Sequence, residues 1–174
     1  EAYHARVDVP AAIEAASARH DGLLIRASQV LGLEQVLLQV LDHRLRSALA
    51  NGRVRELDAL VLAGTGSSDS LANQAVTRLA RVWGAHHKLP VMAAFASTVP
   101  PATGEAVRAF RAQGKRHIAV GSLFLAPGRL HDRAGELALE AGAIAVSAPL
   151  GAHPLIAELV LARYLVGAVE LVPV

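Results

Sequence analysis

Between Leu57 and Asn73 the chain reads LDALVLAGTGSSDSLAN, an apolar run that breaks off at Gly64-Thr65-Gly66 and resumes as a polar helix start. The apolar and β-branched residues of 57–63 predict a buried strand. Ser67, Ser68 and Asp69 carry oxygens suited to accept the first free N–H groups of the helix that follows. Strand, glycine turn and capped helix make the opening unit of a doubly wound α/β domain. In such sheets ligands bind beyond the carboxyl ends of the strands, so this turn should face a site.

The alternation continues to the end of the chain. Helix from about Ser70, strand Pro90–Ala96, helix from Thr103 to Gly114, strand His117–Leu125, helix ending near Gly142, strand Ala143–Ala148 and a last helix from Pro154 follow in turn. Four strand–helix units predict a four-stranded parallel sheet with helices on both faces. The core must be aliphatic, because 53% of residues are hydrophobic but only 3% aromatic. A formal net charge of +2 gives no footprint for nucleic acid, and the lack of Cys excludes disulfides and thiolate metal sites. The most apolar span, Pro154–Val169, is interrupted by Glu158 and Arg163, so no membrane crossing is expected. With no signal-peptide pattern in the sequence, a cytoplasmic location is the expectation.

Ahead of this domain, Asp8-Val9-Pro10 resembles a helix start with Asp8 as N-cap. A short helix to about Arg19, a strand at Leu23–Ala27 and a long helix from about Leu33 to Asn51-Gly52 are predicted next. SQVLG and SAPLG match at a constant offset of 119 residues, 28 to 147 and 32 to 151, and the same offset pairs Ile25 with Ile144 and Arg44 with Arg163. The pattern suggests a tandem duplication: residues 1–52 as the closing half of an N-terminal lobe, incomplete in this sequence, and 53–174 as a complete C-terminal lobe. Half a parallel sheet leaves open edges, so further residues or another chain are expected to complete it.

Few residues stand out for chemistry. The Gly64 turn can form an anion nest, yet it lacks both the Gly-Lys-Ser/Thr ending of a Walker loop and the spacing of a dinucleotide fingerprint. Among the eight histidines, His86 and His87 sit where a helix should end, and solvent exposure or the helix dipole accounts for them. His20, His43 and His117 have no partner at ligand spacing. His153 reads as a helix-start residue and His131 as a polar contact on the ligand-facing edge. His4 is placed in a loop before the Asp8 helix start, where a neutral imidazole suits Fe, Co or Ni.

AYHARVDVP, LVLAGTGSSDSLAN, SLFLAPGRLHDR and PLGAHPLIAELVLARY, in that order, resemble the long, internally duplicated sirohydrochlorin chelatases of the CbiX or SirB type, over essentially the whole chain. The resemblance implies two α/β lobes facing each other over a cleft. It implies an enzyme that inserts Co2+ or Fe2+ into sirohydrochlorin, towards cobalamin or sirohaem, with the metal as substrate and no permanently bound cofactor. His4, four residues before Asp8-Val9-Pro10, matches one of the family's two metal-binding histidines; the strand and turn that would carry the other have no counterpart in this sequence. Thr65 and Leu130 stand at the corresponding places of the second copy, which makes the C-terminal lobe a wall of the cleft.

On this reading His4 is the metal-binding and catalytic residue. Arg6, Arg129 and the N–H groups of Gly66, Ser67 and Ser68 are the candidate donors to the tetrapyrrole carboxylates. A homodimer is compatible with the pattern, and neither nucleic acid nor membrane is expected as partner. The alternative is a protein of the same fold that holds a tetrapyrrole or a metal without inserting it. A nucleotide-binding module on the Gly64 turn is a third and weaker reading.

Overall fold

A computed structural model of the chain describes residues 4–169. Strands β1 (Ala59–Gly64), β2 (Val91–Phe95), β3 (Ile118–Ser122) and β4 (Ala145–Val146) form one sheet in the order β2-β1-β3-β4. Every neighbouring pair is parallel, in register Ala63↔Ala94, Ala63↔Ser122 and Val120↔Val146. Helices α1 (Val9–Ser17), α2 (Val36–Asn51), α3 (Ser70–His87), α4 (Thr103–Ala112), α5 (Arg129–Glu140) and α6 (Pro154–Val169) complete the fold. From 57 onward each strand and helix expected from the sequence is present, shortened by a few residues at its ends.

Alternation along the strands divides the core in two, because successive side chains point to opposite faces. Leu60 and Leu62 of β1, Ala93 and Phe95 of β2 and Ala119 of β3 face α2, α3 and α6. Ala59, Val61, Ala63, Ala94, Ile118 and Val120 face α4 and α5. On the first face Trp83 of α3 is fully buried beside Leu41 of α2. Gly121 makes room for both: a Cβ there would lie 2.7 Å from the Trp83 ring and 3.1 Å from Leu41. The helix preceding β1 in the chain therefore covers β3 and β4 and packs beside α6. Leu37, Leu38, Val40, Leu41 and Leu45 of α2 share one cluster with the strands of the sheet.

Two expectations for the N-terminal segment are corrected. Residues 23–27 form no strand: among the described residues no strand pairs with them, and Leu23 and Leu24 are exposed. An apolar run becomes a strand only where a partner takes its N–H and C=O groups. The segment instead runs extended towards α6, where Arg163 donates to the carbonyls of Val30 and Leu31 and pairs with Glu34 at 2.6 Å. Nor does Asp8 cap α1. Residues His4–Asp8 are already a π-helical turn, Asp8 has helical angles, and its carboxylate bonds the imidazole of His4. His4 thus sits on a helical turn rather than in a loop. Ala2 and Tyr3 of the first motif lie outside the described residues.

Candidate active site

The chain leaves β1 through Gly64-Thr65-Gly66, and contacts with the turn after β2 and with α3 fix the path. Ala96 N donates to Gly64 O and Ser97 N to Thr65 O, so the turn after β2 is laced to the turn after β1. Gly66 has φ +85°, and a Cβ there would meet Ser97 O at 2.1 Å, so only glycine fits. Asn73, one turn into α3, clamps Ser67 from both sides: its Oδ1 accepts from Ser67 N at 2.9 Å and its Nδ2 donates to Ser67 O at 2.7 Å. Asp69 is the N-cap of α3, with its carboxylate accepting from Leu71 N at 2.9 Å.

This turn borders a cavity of about 800 Å3, within the range of small-molecule sites. It opens at the point where the strand order reverses, between β1 and β3, where doubly wound sheets hold ligands. Leu123 after β3, Thr98 after β2, Asn73 and Val76 of α3, and Val30, Gly32 and Leu33 ahead of α2 line it. Thr98 has φ +73°, a left-handed conformation that costs a β-branched residue free energy.

The structure brings most of the expected residues together here. His4, Arg6, Gly66, Ser67 and Ser68 all line this cavity. His4 bonds the Asp8 carboxylate through Nδ1. Arg6 donates to Asp69 Oδ2 at 3.0 Å and so ties the N-terminal turn to the cap of α3. Of the three N–H groups in the turn, that of Ser67 is taken by Asn73. Arg129, the first residue of α5, is not among the residues lining the cavity.

Other histidines differ from expectation. His87 is half-buried rather than simply solvated: its Nε2 contacts Asp42 Oδ1 at 2.8 Å, and the same oxygen accepts from Trp83 Nε1 at 2.7 Å. His43, expected to be isolated, contacts His153 at 3.1 Å. His131 packs edge-on against Phe124 and contacts Asp132, and its buried Nε2 has no hydrogen-bond partner among the described residues.

Comparison with known proteins places the fold. The profile of the CbiX family matches residues 59–165. The chain belongs to the CbiX family. Among solved structures, SirB from Bacillus subtilis with Fe3+ superposes with a TM-score of 0.71 at 23% identity, over 94% of this chain and 66% of that one. The sirohydrochlorin chelatase SirB from Bacillus subtilis subspecies spizizenii in complex with cobalt gives 0.68 at 20% identity, over 94% and 63%. At these identities the likeness is one of fold, and this CbiX-family chain spans about two thirds of the length of the SirB chains. No curated protein matches the sequence. Among the described residues no helix is long and apolar enough to cross a membrane.

Asn73 and Thr98 are site residues that the sequence did not single out. Asn73 was legible in principle, as a polar residue one turn into a helix after a glycine turn. Thr98 carries no such signal.

Proposed function

We propose that this CbiX-family chain acts in metal insertion into sirohydrochlorin, with Co2+ or Fe2+ as the metal substrate. The observation that carries the reading is His4 lining the cavity at the sheet's switch point. Metal insertion must deliver a desolvated divalent cation and remove two pyrrole N–H protons, and a neutral imidazole serves both needs. A carboxylate against a ring nitrogen, as Asp8 stands to His4, is the arrangement that orients metal-binding imidazoles. Relatives described with Fe3+ and with cobalt support this class of metal.

The tetrapyrrole carboxylates need donors. Arg6 offers a planar fork once it parts from Asp69, and Gly66 and Ser68 offer backbone N–H groups at the start of α3. Ser67 serves through its position rather than its N–H, which Asn73 holds. Arg129 reaches the substrate only if the macrocycle extends beyond the cavity towards α5. Carboxylate binding at these points supplies free energy for bending the macrocycle towards the metal.

The test is the absorbance change of sirohydrochlorin with Co2+ or Fe2+. Insertion should run faster with the protein than with metal and macrocycle alone, and His4→Ala should lower the rate about 100-fold or more. An unchanged rate in His4→Ala overturns the assignment of His4. A second reading, a tetrapyrrole- or metal-binding protein without insertion, rests on Thr65, exposed at the cavity where the family resemblance expects histidine. Tight sirohydrochlorin binding with no gain in rate would favour it.

A further inference from the structure

Asp42 is a carboxylate only 8% exposed on α2, packed against the last turn of α3. Its Oδ1 accepts from Trp83 Nε1 and contacts His87 Nε2. His86, the next-to-last residue of α3, brings a second imidazole whose ring centroid is 5.0 Å from that of His87. One ligand atom from each of Asp42, His86 and His87 lies within 4.8 Å of the others.

We propose that Asp42, His86 and His87 form a site for a divalent transition-metal ion, at the end of α3 away from the cavity. Two imidazoles and a carboxylate are the donor set of Zn2+, Co2+ and Ni2+ rather than of Mg2+ or Ca2+. With metal–ligand bonds of about 2.1 Å, tetrahedral ligands stand roughly 3.4 Å apart. The Asp42–His87 pair is already closer than that, and the exposed His86 ring is the one that must swing inward.

Three features favour a cation there. A buried carboxylate is costly without a positive partner, and the donor from Trp83 is neutral. The carboxyl end of α3, where His86 and His87 lie, carries the negative end of the helix dipole. His86 is exposed and gives the ion a way in. A metal at this point takes the place of the proton between His87 and Asp42. Ser70 to His87 spans about 25 Å at 1.5 Å per residue, so the site is separate from the cavity, and the inference does not depend on the insertion chemistry.

Trp83, the sole tryptophan, reports directly on Asp42. In the full chain, Ni2+ or Co2+ should quench its fluorescence saturably with one ion per chain, Zn2+ should reverse the quenching by competition, and Mg2+ should not. His86→Gln, a surface change, should weaken the apparent affinity at least tenfold, whereas His4→Ala should leave it unchanged and His86→Gln should leave any insertion activity intact. Quenching that survives in His86→Gln, or that disappears in His4→Ala, would overturn the proposal. Asp42→Asn, checked for folding by circular dichroism, should likewise lose the quenching, and retention of full affinity there would count against it.

Discussion

Arg44 and Arg163 make the same contact in exchanged directions. Arg44 donates through Nε and Nη2 to Leu150 O at 3.1 and 2.8 Å, and Arg163 reaches back through Nη2 to Leu31 O at 3.5 Å. The offset of 119 residues that pairs Arg44 with Arg163 also pairs Leu31 with Leu150. Reciprocal contacts of this kind belong to a two-fold relation, with α2 and α6 side by side about the local axis.

The two arginines are not energetically equal. Arg44 makes the shorter bonds to carbonyl oxygen, at a residue that is 1% exposed, while Arg163 reaches its carbonyls at 3.3–3.5 Å and adds a partly exposed ion pair to Glu34, which contributes little. Arg44→Ala should cost about 1.5–3 kcal/mol and Arg163→Ala less, read as midpoints of urea unfolding. Equal losses would mean that the exchange is symmetric in energy as well as in geometry.

Asp69 does two jobs that can be separated. Its Oδ1 caps α3 and its Oδ2 holds Arg6. Asp69→Asn keeps an acceptor for the cap and loses the ion pair, which is exposed on the Arg6 side, so it should stay within about 0.5 kcal/mol of wild type. Asp69→Ala should cost about 1 kcal/mol through the cap, seen as a lower melting temperature.

Gly121 is the slot for Trp83. Gly121→Ala places a methyl 2.7 Å from a ring atom that is fully buried between α2 and the sheet. The substitution should destabilise by about 1–3 kcal/mol and alter the tryptophan emission. Unchanged stability would mean that α2 and α3 spread easily.

Asp58 should make the protein acid-sensitive. Burial pulls its carboxyl upward, but the N–H groups of Arg116 and His117, at 2.7 and 3.0 Å, and the charges of His117 and Lys115 outweigh it, so it stays below the usual carboxylate range. A depressed carboxyl contributes stability that is present above its unfolded value, near pH 4, and is lost as pH falls through the folded value. Asp58→Asn should therefore melt lower than wild type at pH 7, and the gap should narrow progressively as pH falls below about 4. A gap that does not change with pH below about 4 would point to lost hydrogen bonds alone.

The sheet was legible because its strands are apolar runs cut by glycine and proline turns. The same logic misread 23–27, where LLIRA has the composition of a strand but lies beside no strand among the described residues. Pairing is a property of the neighbour, not of the run. The cavity turn was legible at Gly66 and Asp69, since positive φ and capping each demand a small set of residue types. The Asp42–His87 contact was not, because 45 positions separate the two and only the docking of α2 beside α3 joins them.

Placement of α2 over β3 and β4 has a bearing on how the chain is made. Arg44 must wait for Leu150, 106 residues later, before its bonds can form. At a synthesis rate of about 5–20 residues per second, the delay is roughly 5–20 s. Until β3 and β4 follow, Leu37, Val40, Leu41 and Leu45 lack the strands that they cover. That apolar stripe stays uncovered on the growing chain, and the last third of the chain is what closes over it.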